Sequence, residues 1–196
     1  MKTPFFFLLI FCFAGLAIAQ NPSRQKTLNI LPQSQLLISG DTNISDFGCN
    51  FEPGMLPTNC AVTYSEKGDM IAFSNAILVL NNRGFDCGNK QINKDFHALL
   101  QTGEHPSIEL ELKKILLKSA TSAIASVSIR IAGNEKLYDL PVKLLSSPVT
   151  CFEGRLKLDI KDFGLEPPKK AFGLIKVKED IVISFNLAVA ESGKID

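Results

Sequence analysis

The sequence predicts an all-β fold, an antiparallel β-barrel with one amphipathic helix near one end. Three observations carry that expectation. Several segments alternate apolar and polar residues with a period of two. One segment, residues 91–101, switches to helical spacing. Turn-forming residues punctuate the chain between the alternating runs. Side chains on a strand point to opposite faces in turn, so each alternating segment has one dry and one wet face. That is the pattern of antiparallel sheet packed on one side against a core or lumen. Many such strands must close or pair face to face, because open edges invite further pairing. A closed ring of about eight strands has room inside for one small ligand.

Residues 1–19 are expected to be a cleaved signal peptide. Lys2 supplies the positive charge, Phe5 to Phe13 a short apolar run, and Ala17-Ile18-Ala19 the small-x-small pattern before the cut, which leaves Gln20 as the new N-terminus. The run is too short to cross about 30 Å of hydrocarbon. Residues 20–196 are then one exported domain, long enough to bury a core.

After a polar lead-in, strands are expected at 27–31, 35–46, 60–65 and 70–80. Ile92, Phe96, Leu99 and Leu100 then recur at helical spacing, with Lys90, Lys94, Asp95 and Gln101 on the other face. Asn89 or Asn93 can cap this helix and Gly103 can end it. Alternation restarts with Ile108, Leu110 and Leu112 against Glu109, Glu111 and Lys113, and 114–118 follows as a further strand. Ala125, Val127, Ile129 and Ile131 alternate with Ser126, Ser128 and Arg130. Residues 137–145 come next. Then Leu156, Leu158 and Ile160 alternate with Arg155, Lys157, Asp159 and Lys161, and Ile181, Ile183, Phe185, Leu187 and Val189 form the last run. Gly68-Asp69, Gly133-Asn134, Gly154 and Pro167-Pro168 supply turns.

Cys49, Cys60, Cys87 and Cys151 remain after the leader is removed. An even number in an exported chain points to disulfides, and sequence does not choose among three pairings. Cys49 and Cys60 flank a loop with Pro53, Gly54 and Pro57, so a local staple is one option. No CxxC pair is present, and His97 and His105 lie far from any cysteine pair at ligand spacing, so neither a metal nor any other cofactor is expected. The formal net charge of +1 falls to zero once Lys2 is removed. A neutral chain has no electrostatic reason to seek nucleic acid. Integral membrane insertion is not expected either: the chain has no Trp, only Tyr64 and Tyr138, and Lys and Glu opposite its apolar faces.

Three stretches carry a resemblance. Ile38-Ser39-Gly40-Asp41-Thr42-Asn43-Ile44-Ser45-Asp46-Phe47 has a Gly-x-(Ser/Thr)-Asn core. Asn93-Lys94-Asp95-Phe96 through Leu99-Leu100 leads to His105-Pro106-Ser107-Ile108. Gly154-Arg155-Leu156 through Asp162-Phe163-Gly164 is followed by Gly173 to Val177 and Ile181. Their order and spacing resemble the YceI-like family of bacterial periplasmic proteins, over roughly residues 27–190. The resemblance implies a lipocalin-like barrel around an apolar tunnel and a long-chain apolar partner, such as a polyisoprenoid or a fatty-acid derivative. The expected leader implies a periplasmic or secreted location, and the resemblance leaves a homodimer open. The four cysteines and the absence of Trp depart from the family.

On this reading the expected tunnel lining is Phe73, Phe96, Leu99, Ile108, Leu110, Val127, Ile129, Leu158, Ile183 and Phe185. Phe85 and Phe172, in turn-like stretches, are candidates for an opening. Binding such a ligand needs little motif, since each buried methylene contributes about 0.8 kcal/mol. The same residues would fill a solid core, so a scaffold with a filled barrel is the alternative. No G-x-S-x-G, H-E-x-x-H, Walker or dinucleotide glycine pattern occurs, and no enzyme activity is expected. A lipid-directed esterase would need a histidine facing the tunnel beside a serine.

Overall fold

The structure is a computed structural model that describes residues 22–146, 149–167, 169–170 and 175–191. The expected leader and Phe172 lie outside these residues. The strands are β1 (Arg24–Ile30), β2 (Gln35–Thr42), β3 (Asp46–Phe51), β4 (Asn59–Lys67), β5 (Met70–Asn81), β6 (Phe85–Asp86), β7 (Ser107–Ser119), β8 (Ser122–Ile131), β9 (Asn134–Ser146), β10 (Thr150–Asp159), β11 (Lys169–Lys170) and β12 (Ile175–Glu191). One α-helix, α1, spans Lys90–Leu99. The predicted antiparallel barrel is present. Its ring runs β1-β4-β5-β7-β8-β9-β10-β12 and returns to β1.

Closure depends on β12. On one edge it pairs with β10 from Asp180 to Val189. On the other it pairs first with β2 and then, near its C-terminus, with β1 through Leu28↔Glu191, Asn29↔Ala190 and Ile30↔Val189. β1 and β2 thus lie end to end along one long strand. The kink between them is held by Ser34, only 1 % exposed. Its hydroxyl donates to the Ala188 carbonyl at 3.2 Å and accepts from the Ala188 N–H at 3.0 Å, standing in for a ladder residue.

The expected strand 35–46 is instead a hairpin of β2 and β3. Thr42 Oγ1 accepts from the N–H groups of Ile44 and Ser45 and so turns the chain. The short β6 pairs with β3, Asn50↔Asp86 and Phe51↔Phe85. Carried one residue further, that register sets Cys49 opposite Cys87, and these two form the disulfide. The local Cys49–Cys60 staple is therefore not made. Cys60 and Cys151 are free thiols.

The segments expected at 108–113 and 114–118 are one strand, β7. Its register with β8 slips between Leu112 and Lys114, and its register with β5 slips between Ala72 and Ala76. A bulge shifts the side-chain phase. Inward residues are therefore Leu110 and Leu112 before the slip and Ile115 after it. On β5 they are Phe73, within the irregular stretch, then Ala76 and Leu78 after it.

α1 begins at Asn89, whose Oδ1 accepts from the N–H groups of Gln91 and Ile92. Its Phe96 and Leu100 are buried, and Ile92 is exposed. The helix closes one end of the barrel. There β9 and β10 separate beyond Gly154, where their ladder stops. A 3-10 turn, Ile160–Phe163, occupies the gap. Phe163 is fully buried, its carbonyl accepts from Asn134 Nδ2 at 2.8 Å, and Tyr138 Oη donates to Asp162 Oδ2 at 3.0 Å.

Two tests follow from this architecture. The Cys49–Cys87 link closes a sequence separation of 38 residues, so the chain-entropy model puts its contribution at about 3–4 kcal/mol. Urea unfolding of the double variant Cys49→Ser/Cys87→Ser should show a loss of that order; an unchanged midpoint would mean that the link does not restrain the unfolded chain. Separately, burial, then Asp162, pushes Tyr138 up to about 12, whereas an unfolded tyrosine ionises near 10. Above pH 10 the unfolded chain loses that proton first, so the contribution present below pH 10 is lost as pH rises to 12. Wild type should lose more stability across that interval than Tyr138→Phe, by thermal melts at matched ionic strength.

Candidate binding cavity

Inside the ring lies a cavity of about 270 Å³. All eight ring strands contribute to its wall, among them Leu28 and Ile30 from β1, Val62 from β4, Leu78 from β5, Leu112 from β7, Ala125 from β8, Leu144 from β9, Phe152 from β10 and Leu187 from β12. Only Ser34, Gln35 and Cys60 among the lining residues carry a polar side chain. A wider depression of about 930 Å³ lies outside the barrel, rimmed by outward-facing Lys143, Arg155, Ser184 and Asn186. It is the more open of the two, so it removes less of an apolar molecule's surface from water than the lumen does.

The floor of the cavity is set by strand register. Leu78 pairs with Leu110, Leu110 with Ile129, and Leu156 with Ile183; all five line the cavity. One inward position further toward α1, Leu80 pairs with Ile108 and Leu158 with Ile181. That layer is solid: Leu80 is 1 % exposed, Ile108 2 % and Leu158 3 %. Beneath it Phe85 stacks at 5.4 Å from Phe96 and 4.9 Å from Phe51, ring centre to ring centre.

Of the ten residues expected to line a tunnel, Phe73, Leu110, Val127, Ile129, Ile183 and Phe185 are on the cavity wall. The other four are placed elsewhere. Ile108 and Leu158 face inward but sit in the solid layer, while Phe96 and Leu99 belong to the helix that plugs the end. Phe85 is buried in the same plug and forms no opening. Phe185 depends on its cross-strand partner Gly154: a Cβ there would lie 2.5 Å from the ring. Periodicity placed Ala125 on the apolar face without marking it as a wall residue, and did not single out Ala76 and Ala123. Their small side chains leave the space that larger ones would fill.

The ladder between β4 and β5 is incomplete. These strands pair only from Tyr64 to Lys67 against Met70 to Phe73. Past that point side chains replace the ladder, with Asn75 Oδ1 accepting from the Thr63 N–H and Ser74 Oγ donating to the Thr63 carbonyl. Ile77 pairs with Glu111 and faces outward between the inward Ala76 and Leu78, 46 % exposed. Cys60 Sγ faces the Ile77 carbonyl across the seam at 3.9 Å. Burial pushes the Cys60 thiol up. Neither histidine lines the cavity: His97 Nε2 lies 3.1 Å from the Asn82 carbonyl, and the His105 ring covers Gly133. Among the described residues no three His, Cys, Asp or Glu side chains gather to hold a metal, and no helix is long and apolar enough to cross a membrane.

The chain matches the model of the YceI-like domain family over residues 54–189. No curated protein matches it. Among solved structures it is similar to BcnA of Burkholderia cenocepacia, with a TM-score of 0.60 at 14 % identity, covering 83 % of this chain and 99 % of that one. It is also similar to a polyisoprenoid binding domain from Saccharophagus degradans, described as implicated in plant cell wall breakdown. There the TM-score is 0.58 at 12 % identity, over 84 % of this chain and 98 % of that one. At such identities the likeness is one of fold.

Cys60 offers a direct probe of the wall. In a Cys151→Ser background its alkylation at pH 8 should be about tenfold slower in the folded protein than in urea, because burial both raises the thiol pKa and blocks approach. Intact-mass time courses with iodoacetamide measure both rates, and equal rates would place the thiol outside the wall.

Proposed function

The chain belongs to the YceI-like domain family, and from that premise we propose that it binds an apolar chain molecule in the barrel and does no chemistry on it. The ligand class is an isoprenoid, an isoprenoid quinone or a fatty-acid derivative. The observation that carries this reading is the lumen itself, an apolar cavity walled by every strand of the ring. Moving a chain from water into it gains about 0.8 kcal/mol per methylene, less the cost of immobilising the ligand. The polyisoprenoid binding domain among the structural neighbours supports the same class. Placement in the periplasm or outside the cell is part of the proposal. It is supported by the leader-like residues 1–19 and by the Cys49–Cys87 link, a bond that persists in oxidising compartments.

Native mass spectrometry of the protein from a periplasmic fraction, followed by organic extraction, tests the proposal. The expected result is a one-to-one adduct of a few hundred daltons that leaves with solvent. A bare mass that persists after incubation with isoprenoid quinones and fatty acids would move the function to the outer surface of a scaffold.

A further inference from the structure

The cavity is shallow for the class of ligand it is shaped to take, and its depth has a structural cause. A dry apolar cavity of about 150 Å³ accommodates one benzene, six carbons. On that scale 270 Å³ holds about eleven carbons, roughly two isoprene units. The floor cannot recede without unpacking the layer of Leu80, Ile108 and Leu158, which α1 backs from below. We propose that the barrel measures its ligand: it encloses one chain end of about eleven carbons, tail inward, and leaves the polar head and any further chain outside the cavity. This rests on the ligand-binding reading above.

The orientation follows from the wall. Ser34 spends its hydroxyl on both backbone groups of Ala188. Gln35 is exposed. The Cys60 thiol is a weak donor already directed at the Ile77 carbonyl. A carboxylate or hydroxyl carried to the floor would lose its hydration and find no partner. The tail meets only hydrocarbon. A head group left outside the cavity stays wet.

The test is a chain-length series. Saturated fatty acids from six to sixteen carbons, each below its micellar concentration, are titrated into the protein by calorimetry, with geraniol and farnesol alongside. Each methylene that enters the cavity should tighten binding up to about fourfold. The slope should break near eleven carbons, and longer chains should then agree within about twofold. Val127→Phe adds about four carbons to the wall and should move the break to shorter chains by about that number. Ile108→Ala opens the floor and should move it about three carbons longer. Circular dichroism establishes that each variant is folded. Val127→Phe fills space rather than emptying it, and carries the test alone if Ile108→Ala does not fold. Affinity that climbs at constant slope to sixteen carbons, or a break that neither folded variant moves, overturns the length limit and leaves the binding function standing. No binding at any length overturns the binding function itself.

Discussion

Everything inside this barrel exists because β12 finds two partners on the same edge. A ring of eight strands must bring its first and last members together, and the ladder that does so is short, three residue pairs between β1 and β12. Ser34 makes that short ladder sufficient. By bonding both the N–H and the carbonyl of Ala188 from a position 1 % exposed, it lets one continuous edge of β12 serve two strands that meet at an angle. Buried backbone groups left unpaired at such a kink are costly. Closure turns the inward faces into a lumen, and without it they would be one side of an open sheet.

The strands were legible wherever the period of two ran unbroken, as from Ala125 to Ile131 and from Ile181 to Val189. The helix was legible too, from the spacing of Phe96 and Leu100 and the cap at Asn89. What misled was a change of phase inside a strand. Leu112 and Ile115 are three apart yet face the same way, because Lys113 is an extra residue at a bulge. A sequence shows that as a boundary between two strands. The turn at Asn43 to Ser45, by contrast, was signalled by Asp41, Asn43 and Asp46, residues that favour turns over strands. It is made by one threonine hydroxyl whose role is local hydrogen bonding.

The site was legible by face and illegible by depth. Ile108 and Leu110 are alike in type, neighbours in the alternation and both inward. One packs in the solid layer and the other lines the cavity. The difference lies in what stands across the barrel at each level, which is a matter of register among strands distant in sequence. The bland and the functional roles of an inward leucine are chemically identical, and small residues such as Ala123 and Ala125 do as much to create the lumen as the large ones do to line it.

The bond between Cys49 and Cys87 also bears on motion. Cys87 lies two residues before the cap of α1, so the helix is tied at its leading end to β3, while Phe96 and Leu100 hold its far end in the core. A helix so moored cannot swing as a gate on a few residues of hinge. The wall is less continuous on the side where β4 and β5 are joined by side chains instead of a full ladder. The moored end is then the rigid part of the barrel, and the side with the interrupted ladder is where fewer backbone bonds stand between the folded and the opened wall.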